Sequence, residues 1–182
     1  EDVARLMREE NDCFVMADPP YNIGFNYAGI DDKKTAKEYE DFCRKWFSLW
    51  GAYSGVIVTP GPRNERLYPE PKDKGIWVKK NATAGATFFH LRLAEPILFY
   101  GKFAEKRATD VFDYSSGFTV ELKSARQQAG VLECHAPAKS MPLWVELAKM
   151  CGQLIADPFL GNGTTLIAAE KTGRVCYGME ID

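Results

Sequence analysis

The most constraining feature of this 182-residue sequence lies near its C-terminal end, where a predicted strand, a Gly-x-Gly turn and a helix follow one another. The strand is expected at 153–156, the turn contains Gly161 and Gly163, and a second strand begins at Val175 and leads to Glu180. This order predicts a nucleotide-binding β-α-β unit, because glycine lets the backbone pass close to a ligand and the helix N-terminus offers unbonded N–H groups. Glu180 follows Gly161 by 19 residues, near the spacing of about 20 residues at which such an acid reaches ribose hydroxyls.

The same turn also indicates the kind of ligand. The dinucleotide-binding pattern has a third glycine, whereas this sequence continues with Thr164 and Thr165. A ligand that has a nucleoside but no phosphate fits better, and S-adenosylmethionine is such a ligand. A plain tight turn before a helix is the alternative, since Gly-x-Gly alone is common. The predicted cofactor-binding residues of this unit are Asp157, Phe159, Gly161, Asn162, Gly163, Thr164, Thr165 and Glu180.

Short apolar runs alternate with helical stretches along the rest of the chain. The runs at 13–17 and 55–59 are mostly apolar and stop at or just before prolines, which is typical of buried strands. Aromatic and leucine side chains at helical spacing predict a helix over 35–50, with Thr35 as its cap. Further elements are expected at 76–78, 96–100, 142–151 and 164–172. The pattern predicts a single α/β domain with a doubly wound, mostly parallel sheet.

A second motif, Asp18-Pro19-Pro20-Tyr21, follows the first buried strand. Ligands of open α/β sheets bind outside the carboxyl ends of the strands, which is where this tetrapeptide lies. Asp18 offers a carboxylate that accepts hydrogen bonds, and Pro19 offers a carbonyl on a stiff backbone next to a residue without an N–H. Tyr21 offers an aromatic face. For the tetrapeptide alone, a rigid turn with a helix cap is the alternative interpretation.

These groups suit methyl transfer to an exocyclic amine of a nucleic-acid base. The lone pair of such an amine is delocalised into the ring, and two acceptors on its N–H bonds favour the pyramidal form that exposes it. The carboxylate also stabilises the charge that develops as the nitrogen attacks, and the aromatic ring stacks on a base flipped out of the duplex. No metal is required, because the methyl group already has a sulfonium leaving group. The predicted catalytic residues are Asp18, Pro19, Pro20 and Tyr21.

Together the two motifs resemble those of the S-adenosylmethionine-dependent DNA amino-methyltransferases, which methylate N6 of adenine or N4 of cytosine. Asp-Pro-Pro-Tyr precedes the segment from Phe159 to Gly163, and this order is that of the permuted class called β. The resemblance covers nearly the whole chain apart from about 103–134, and it implies a Rossmann-like methyltransferase fold. It divides the domain into a catalytic half at 1–102, a small target-recognition region at 103–134 and a cofactor-binding half at 135–182.

The resemblance implies further roles and shows some departures. Lys139 lies where the family has a lysine that holds the methionine part of the cofactor, and Asp18 is expected to contact the cofactor as well. Adenine enzymes of the family mostly have Asp at the first motif position, so Asp18 favours adenine over cytosine. Lys139 is followed by Ser140 and Met141 before Pro142, where the family usually reads Lys-Pro. One edge strand of the family's sheet is expected to be missing, and the short target-recognition region predicts a short target site, a weak sequence preference or help from a partner chain.

Charge is unevenly distributed along the chain, although the formal net charge is only −2. Residues 61–130 contain 12 Lys and Arg against 8 Asp and Glu, whereas the flanking parts are net acidic. Because clustered basic side chains contact phosphates, the middle of the sequence predicts a DNA-facing surface, with a solvated loop region as the alternative. The predicted nucleic-acid contacts are Asn22, Tyr27, Lys79, Lys80, Arg92, Arg107 and Arg126.

Composition argues against several other classes. No apolar run reaches the length of about 18 residues that spans a membrane, and no signal peptide is indicated, so we expect a cytoplasmic protein. The five cysteines form no C-x-x-C pair and there are only two histidines, so no metal site is expected. The expected partner is DNA, with RNA, a homodimer and a partner subunit left open. A non-catalytic subunit that supports an active methyltransferase is the alternative from a different class.

Overall fold

The computed structural model describes residues 12–24, 26–27, 30–51, 53–79, 93–115 and 139–180. The strands in chain order are β1 (Cys13–Ala17), β2 (Asn26–Tyr27), β3 (Ile30–Asp31), β4 (Gly55–Val58), β5 (Asp73–Val78), β6 (Ala94–Gly101), β7 (Val111–Asp113), β8 (Leu154–Asp157) and β9 (Val175–Gly178). The helices are α1 (Ala36–Trp50), α2 (Met141–Met150) and α3 (Thr164–Lys171), with a short 3-10 helix at Glu65–Leu67. None of these described helices is long and apolar enough to cross a membrane.

Seven strands form one sheet in the order β7-β5-β6-β4-β1-β8-β9, and β2 and β3 form a separate antiparallel hairpin. Within the large sheet β6 runs antiparallel to β4 and β5, and the other neighbouring pairs are parallel. The chain moves from β1 to β4 on one side and from β8 to β9 on the other. Strand order therefore reverses between β1 and β8, and such a reversal opens a crevice at the carboxyl ends of those strands.

Both faces of the sheet are covered, which explains why β1 and β4 are continuous apolar runs. Side chains of β1 alternate between two clusters: Phe14 and Met16 pack on the face that holds α2 and α3, and Val15 packs on the face that holds α1. On α1, Trp46 and Trp50 are buried in the second cluster. Burial on both faces fixes the strand register and therefore the position of the residues that follow each strand.

The N-terminus of α1 is set by local hydrogen bonds, as the sequence predicted. The Thr35 hydroxyl accepts the backbone N–H of Glu38, and the Glu38 carboxylate accepts the backbone N–H of Thr35. These two bonds form a capping box, which satisfies two N–H groups that a helix end would otherwise leave unbonded. The Thr35 hydroxyl also donates to the Glu38 carboxylate at 2.7 Å, and this bond, followed by the one from the Thr35 N–H, holds the pKa of Glu38 below its usual value.

Three elements differ from expectation. The hairpin β2-β3 lies between β1 and α1, where no helix or strand was predicted, and the last strand ends at Gly178, whereas it was expected to lead to Glu180. The strand β7 lies within 103–134, where no element was predicted, and it joins the sheet edge beside β5. Phe112 of β7 is buried and stacks on Phe99 of β6, with ring centroids 6.1 Å apart. The first part of the segment assigned to target recognition therefore belongs to the sheet.

Candidate active site

The Asp18 carboxylate lies at the carboxyl end of β1 and is the centre of a hydrogen-bonded cluster. Its Oδ1 accepts the Tyr21 hydroxyl at 2.7 Å and the Thr59 hydroxyl at 2.5 Å. Its Oδ2 lies 2.9 Å from Nζ of Lys139. Although three partners hold it, the Asp18 side chain is still 21% exposed and therefore reaches the surface of the crevice.

Tyr21 is fixed on Asp18 by its hydroxyl and by packing of its ring. A Cβ built on Gly61, which has a φ of +76°, would lie 2.9 Å from Cγ of Tyr21, so only glycine lets the ring approach this closely. Burial, followed by the charges of Asp18 and Glu95, raises the pKa of Tyr21 well above its usual value. The phenol therefore stays protonated and donates a hydrogen bond to Asp18. Nζ of Lys139 lies 4.5 Å from the centroid of the Tyr21 ring.

The backbone of the catalytic motif is held from two other elements. The hydroxyl of Tyr39 on α1 donates to the carbonyl of Pro20 at 2.6 Å. The side-chain amide of Asn64 donates to the carbonyl of Tyr21 at 3.0 Å and to the carbonyl of Pro60 at 3.0 Å. The turn after β1 and the turn after β4 are thus tied together, which leaves Asp18 little freedom to rotate away.

The Gly-x-Gly turn lies next to this cluster, between β8 and α3. Gly161 and Gly163 have positive φ values of +50° and +75°, and Gly163 is the N-cap of α3. The backbone N–H of Gly161 donates to the Glu180 carboxylate at 2.5 Å. Because the cap residue has no side chain, the first N–H groups of α3 are available to a ligand.

Asp157 is buried behind the turn at the end of β8. Its carboxylate accepts the Phe159 N–H at 2.8 Å and the Thr165 hydroxyl at 2.5 Å, and that hydroxyl accepts the indole N–H of Trp144 at 3.1 Å. The pKa of Asp157 is raised to about 7, chiefly by burial and to a smaller extent by the charges of Asp18 and Glu180, although the two hydrogen-bond donors lower it. Since Thr165 is 1% exposed, its contribution is to hold Asp157 in place from the interior.

The chemical groups of this turn are suited to binding S-adenosylmethionine. A carboxylate at the end of β9 suits ribose hydroxyls, and left-handed glycines leave the backbone open to close approach. The charges of Asp18 and Glu180 both act on Asp157, so the three acidic side chains lie near one another at the same sheet edge. Such an acidic surrounding favours a ligand with a sulfonium cation.

Phe159 and Lys139, two predicted cofactor residues, are engaged within the protein. The ring of Phe159 packs edge-on against Trp46 of α1, with centroids 5.3 Å apart. The ammonium of Lys139 contacts Asp18 and the hydroxyl of Tyr21. The structure therefore places Lys139 in the catalytic cluster, and its contact with the methionine part of the cofactor stays a prediction.

The predicted nucleic-acid contacts lie at several places. The amide of Asn22 bonds the backbone of Lys34 in both directions, which closes the loop after the catalytic motif. The guanidinium of Arg107 lies over the Phe112 ring, 4.2 Å from its centroid. Lys79 is paired with Glu95. Outside the described residues lie Lys80, Arg92, Arg126 and the side chain of Tyr27.

Four residues of the site were not singled out from the sequence. Thr59, Gly61 and Asn64 follow β4, and Tyr39 lies on α1. The segment after β4 begins Thr59-Pro60-Gly61-Pro62, and a turn directly after a buried strand is the same signal that located Asp18. That signal was available, whereas the role of Tyr39 depends on helix packing.

Comparisons with known proteins agree with this geometry. A family model described as DNA methylase, the N6/N4 family, matches residues 13–182. The Type II methyltransferase M.ScaI of Streptomyces caespitosus is 26% identical over 216 residues, which cover 90% of this chain and 68% of that protein.

Two solved structures share the fold. The PvuII DNA methyltransferase, described as cytosine-N4-specific, matches with a TM-score of 0.71 at 13% identity, over 100% of this chain and 80% of its own. M1.HpyAVI in complex with SAM matches with a TM-score of 0.62 at 17% identity, over 100% of this chain and 89% of its own. The predicted Rossmann-like methyltransferase fold is thereby confirmed. The family match shows that the chain belongs to the N6/N4 DNA methylases, a family that uses S-adenosylmethionine.

Proposed function

We propose that this chain transfers a methyl group from S-adenosylmethionine to N6 of adenine in DNA, acting directly on a base flipped out of the duplex. The observation that supports this most strongly is the position of Asp18 beside the Gly161–Glu180 turn. The strand β1 pairs directly with β8, so the catalytic carboxylate and the cofactor turn follow neighbouring parallel strands. A base amine at Asp18 therefore lies within reach of a methyl group presented from that turn.

Each catalytic residue has a defined task in this proposal. Bound S-adenosylmethionine supplies a methyl group on a sulfonium leaving group. Asp18 and the Pro19 carbonyl accept hydrogen bonds from the two N–H groups of the amine, and the ring of Tyr21 stacks on the base. With the cofactor bound, the amine nitrogen would gain the methyl group and a positive charge while the thioether leaves, and it would then give one proton to solvent water. Asp18 stabilises that charge because the Tyr21 and Thr59 hydroxyls already orient its carboxylate.

Adenine is proposed as the target because the motif begins with Asp18, as in most adenine enzymes that the sequence resembles. Cytosine N4 is the second candidate, and one observation favours it: the PvuII enzyme, which shares the fold, is described as cytosine-N4-specific. The hydrogen-bonding pattern at Asp18 suits both amines, since each has two N–H bonds next to a ring nitrogen. RNA is a further substrate that the same chemistry would accept.

A non-catalytic role, as the partner subunit of an active methyltransferase, is the candidate from another class. It predicts no need for an oriented carboxylate in the crevice, whereas Asp18 is held there by three side chains. We therefore favour the enzyme. Target recognition is assigned to 103–134 apart from β7, and a homodimer or a partner chain would enlarge that small surface.

Transfer of labelled methyl from S-adenosylmethionine to unmethylated DNA, followed by digestion to nucleosides, tests this proposal. We expect the label in N6-methyl-2′-deoxyadenosine and its loss with Asp18→Asn, by about a hundredfold or more in rate, as for removal of a transition-state contact. Asp41→Asn is the matched control, because Asp41 lies on the exposed face of α1 in an ion pair with Lys37. It should leave the rate unchanged.

Each other outcome has a distinct meaning. Label in N4-methylcytosine keeps the mechanism and refutes the choice of adenine. When unmethylated RNA is offered in a parallel reaction, label on RNA alone refutes DNA as the substrate. An Asp18→Asn rate close to that of the Asp41→Asn control, or cofactor binding without any transfer, refutes the catalytic role and favours the partner-subunit alternative.

A further inference from the structure

A buried ion pair between Lys79 and Glu95 lies beside the catalytic cluster. Lys79 follows β5, and Glu95 lies near the start of β6, where it pairs in register with Trp77. The two side chains are only 14% and 11% exposed. Nζ of Lys79 also lies 4.2 Å from the centroid of the Trp77 ring. Lysine and glutamate are seldom buried to this extent, so the pair is held in place by its surroundings.

The charges of this pair act on the catalytic residues. After burial and Asp18, Glu95 is the next cause that raises the pKa of Tyr21. Burial lowers the pKa of Lys79 against the effect of Glu95, while Lys139 lowers it further and Asp18 raises it. These charges act on one another only because Lys79, Glu95, Asp18 and Lys139 lie near each other.

The position of the pair in the sheet assigns it to the acceptor side of the crevice. The cofactor turn follows β8, on one side of β1, whereas β4, β6 and β5 lie on the other side. Because β6 is antiparallel, its start lies at the same sheet edge as the ends of β4 and β5. Lys79 and Glu95 therefore line the part of the crevice that faces a base at Asp18.

The pair also has hydrogen-bonding capacity left over. Oε1 of Glu95 contacts Lys79, but its Oε2 is buried and has no hydrogen-bond partner in the part of the chain that the structure describes. An ammonium has three N–H donors, and Glu95 takes one of them. Buried polar groups are normally satisfied, and the remaining N–H donors of Lys79 suit an acceptor atom of a ligand.

We propose that Lys79, held in place by Glu95, donates a hydrogen bond to the ring nitrogen next to the target amine and thereby selects the base. This inference rests on the proposed methylation of a base amine. Adenine has N1 beside its amine and cytosine has N3, and both ring nitrogens are acceptors. In guanine and thymine the corresponding nitrogen carries a hydrogen and the adjoining group is an oxygen. Asp18 and Lys79 together therefore accept the first two bases and reject the other two.

The test replaces the ring nitrogen of the target base by C–H. The methylated site is first mapped with the wild-type enzyme, and a duplex with that site is made with 1-deazaadenine, or with 3-deazacytosine if the label is in cytosine. kcat/KM is measured on the normal and the deaza duplex for the wild type and for Lys79→Met. The deaza change also alters the reactivity of the amine itself, but this effect is common to both enzymes and cancels in the ratio of their discriminations.

We expect the wild type to discriminate against the deaza duplex about tenfold or more strongly than Lys79→Met does, as for loss of one hydrogen bond to a charged donor. Lys74→Met is the matched control, because Lys74 lies on the same strand in an exposed pair with Glu65. It should discriminate as the wild type does. Cofactor affinity, measured by calorimetry, should be equal in all three proteins, which shows that the variants are folded.

A second variant, Glu95→Gln, keeps Lys79 but removes its charged partner, and it should weaken discrimination while leaving cofactor affinity unchanged. It provides the same readout if Lys79→Met does not fold. Equal discrimination by the wild type and these variants would overturn the role of Lys79, although methylation of normal DNA would still support the proposed function. Absence of any transfer to the normal duplex would overturn both.

Discussion

The orientation of Asp18 by Thr59 gives the sharpest prediction about catalysis. Thr59→Val removes the hydroxyl that donates to Oδ1 at 2.5 Å and preserves the shape of the side chain. Thr59 is 3% exposed, and its backbone N–H still donates to the carbonyl of Ala17 at 3.0 Å. The variant should therefore fold normally and differ from the wild type chiefly in how firmly the carboxylate is held.

The size of the effect follows from the number of donors. A hydrogen bond to a charged group contributes about 1.5–3 kcal/mol, and a tenfold change in rate corresponds to about 1.4 kcal/mol. Tyr21 still donates to Oδ1 in the variant and Lys139 still contacts Oδ2, so we expect the lower end of that range, a fall in kcat of about tenfold. Since Oδ1 keeps one partner, the free energy of unfolding should change by less than about 1 kcal/mol.

Single-turnover methyl transfer at saturating cofactor measures this effect directly. Thr59→Ser, which retains the hydroxyl, should recover most of the rate, which loss of packing alone would not explain. In the double variant with Tyr21→Phe, Oδ1 loses both donors, so the loss should exceed the product of the two single losses. A Thr59→Val rate within twofold of the wild type would refute the claim that this hydroxyl orients Asp18.

Three further predictions concern the cofactor half. The pKa of Asp157 is about 7 in the folded chain, against an ordinary value of 3.8, so the unfolded chain loses this proton at a lower pH. The free energy of unfolding should therefore fall from about pH 4 to 7 and then level off. In urea titrations Asp157→Asn should lack this slope. Gly163→Ala and Gly173→Ala both place a side chain at positive φ without a steric clash and should each cost about 1 kcal/mol in thermal unfolding, but only the first should weaken cofactor binding in calorimetry. Glu180→Gln should raise the cofactor Kd about tenfold by loss of a charged acceptor, and an unchanged Kd would contradict its assignment to the ribose.

The sequence predicted those parts of the site that depend on local rules. The Asp18 motif was located because prolines stop a buried strand, and Gly161 and Gly163 were located because they separate a strand from a helix. The cap at Thr35 likewise depends on residues within one helical turn. In each case the determining contacts lie within a few residues along the chain.

Two of the three partners of Asp18, Thr59 and Lys139, are distant in sequence, so their contacts with Asp18 do not follow from local rules. Thr59 is separated from Asp18 by 41 positions, and Lys139 is separated from Tyr21 by 118. Only the pairing of β1 with β4 places Thr59 beside Asp18. Lys79 illustrates the same limit: it was predicted as a nucleic-acid contact from the basic middle of the sequence, and its ion pair with Glu95 depends on the neighbouring strand.

The sheet order also explains why one carboxylate serves both halves of the site. The side of β1 that leads to β8 and β9 is acidic, with Asp157 and Glu180, and the side that leads to β4, β6 and β5 includes the ammonium of Lys79. In the proposed transfer, positive charge would move from a sulfonium on the acidic side to an amine on the other side. Asp18 stands between the two positions, so it attracts the charge throughout and needs no reorientation. Nζ of Lys139 lies 2.9 Å from Oδ2, so the Asp18 carboxylate already has one cation beside it. A methylated ammonium formed there would compete with Lys139 for the carboxylate. Because a neighbouring positive charge lowers the pKa of an ammonium, it would release its proton more readily.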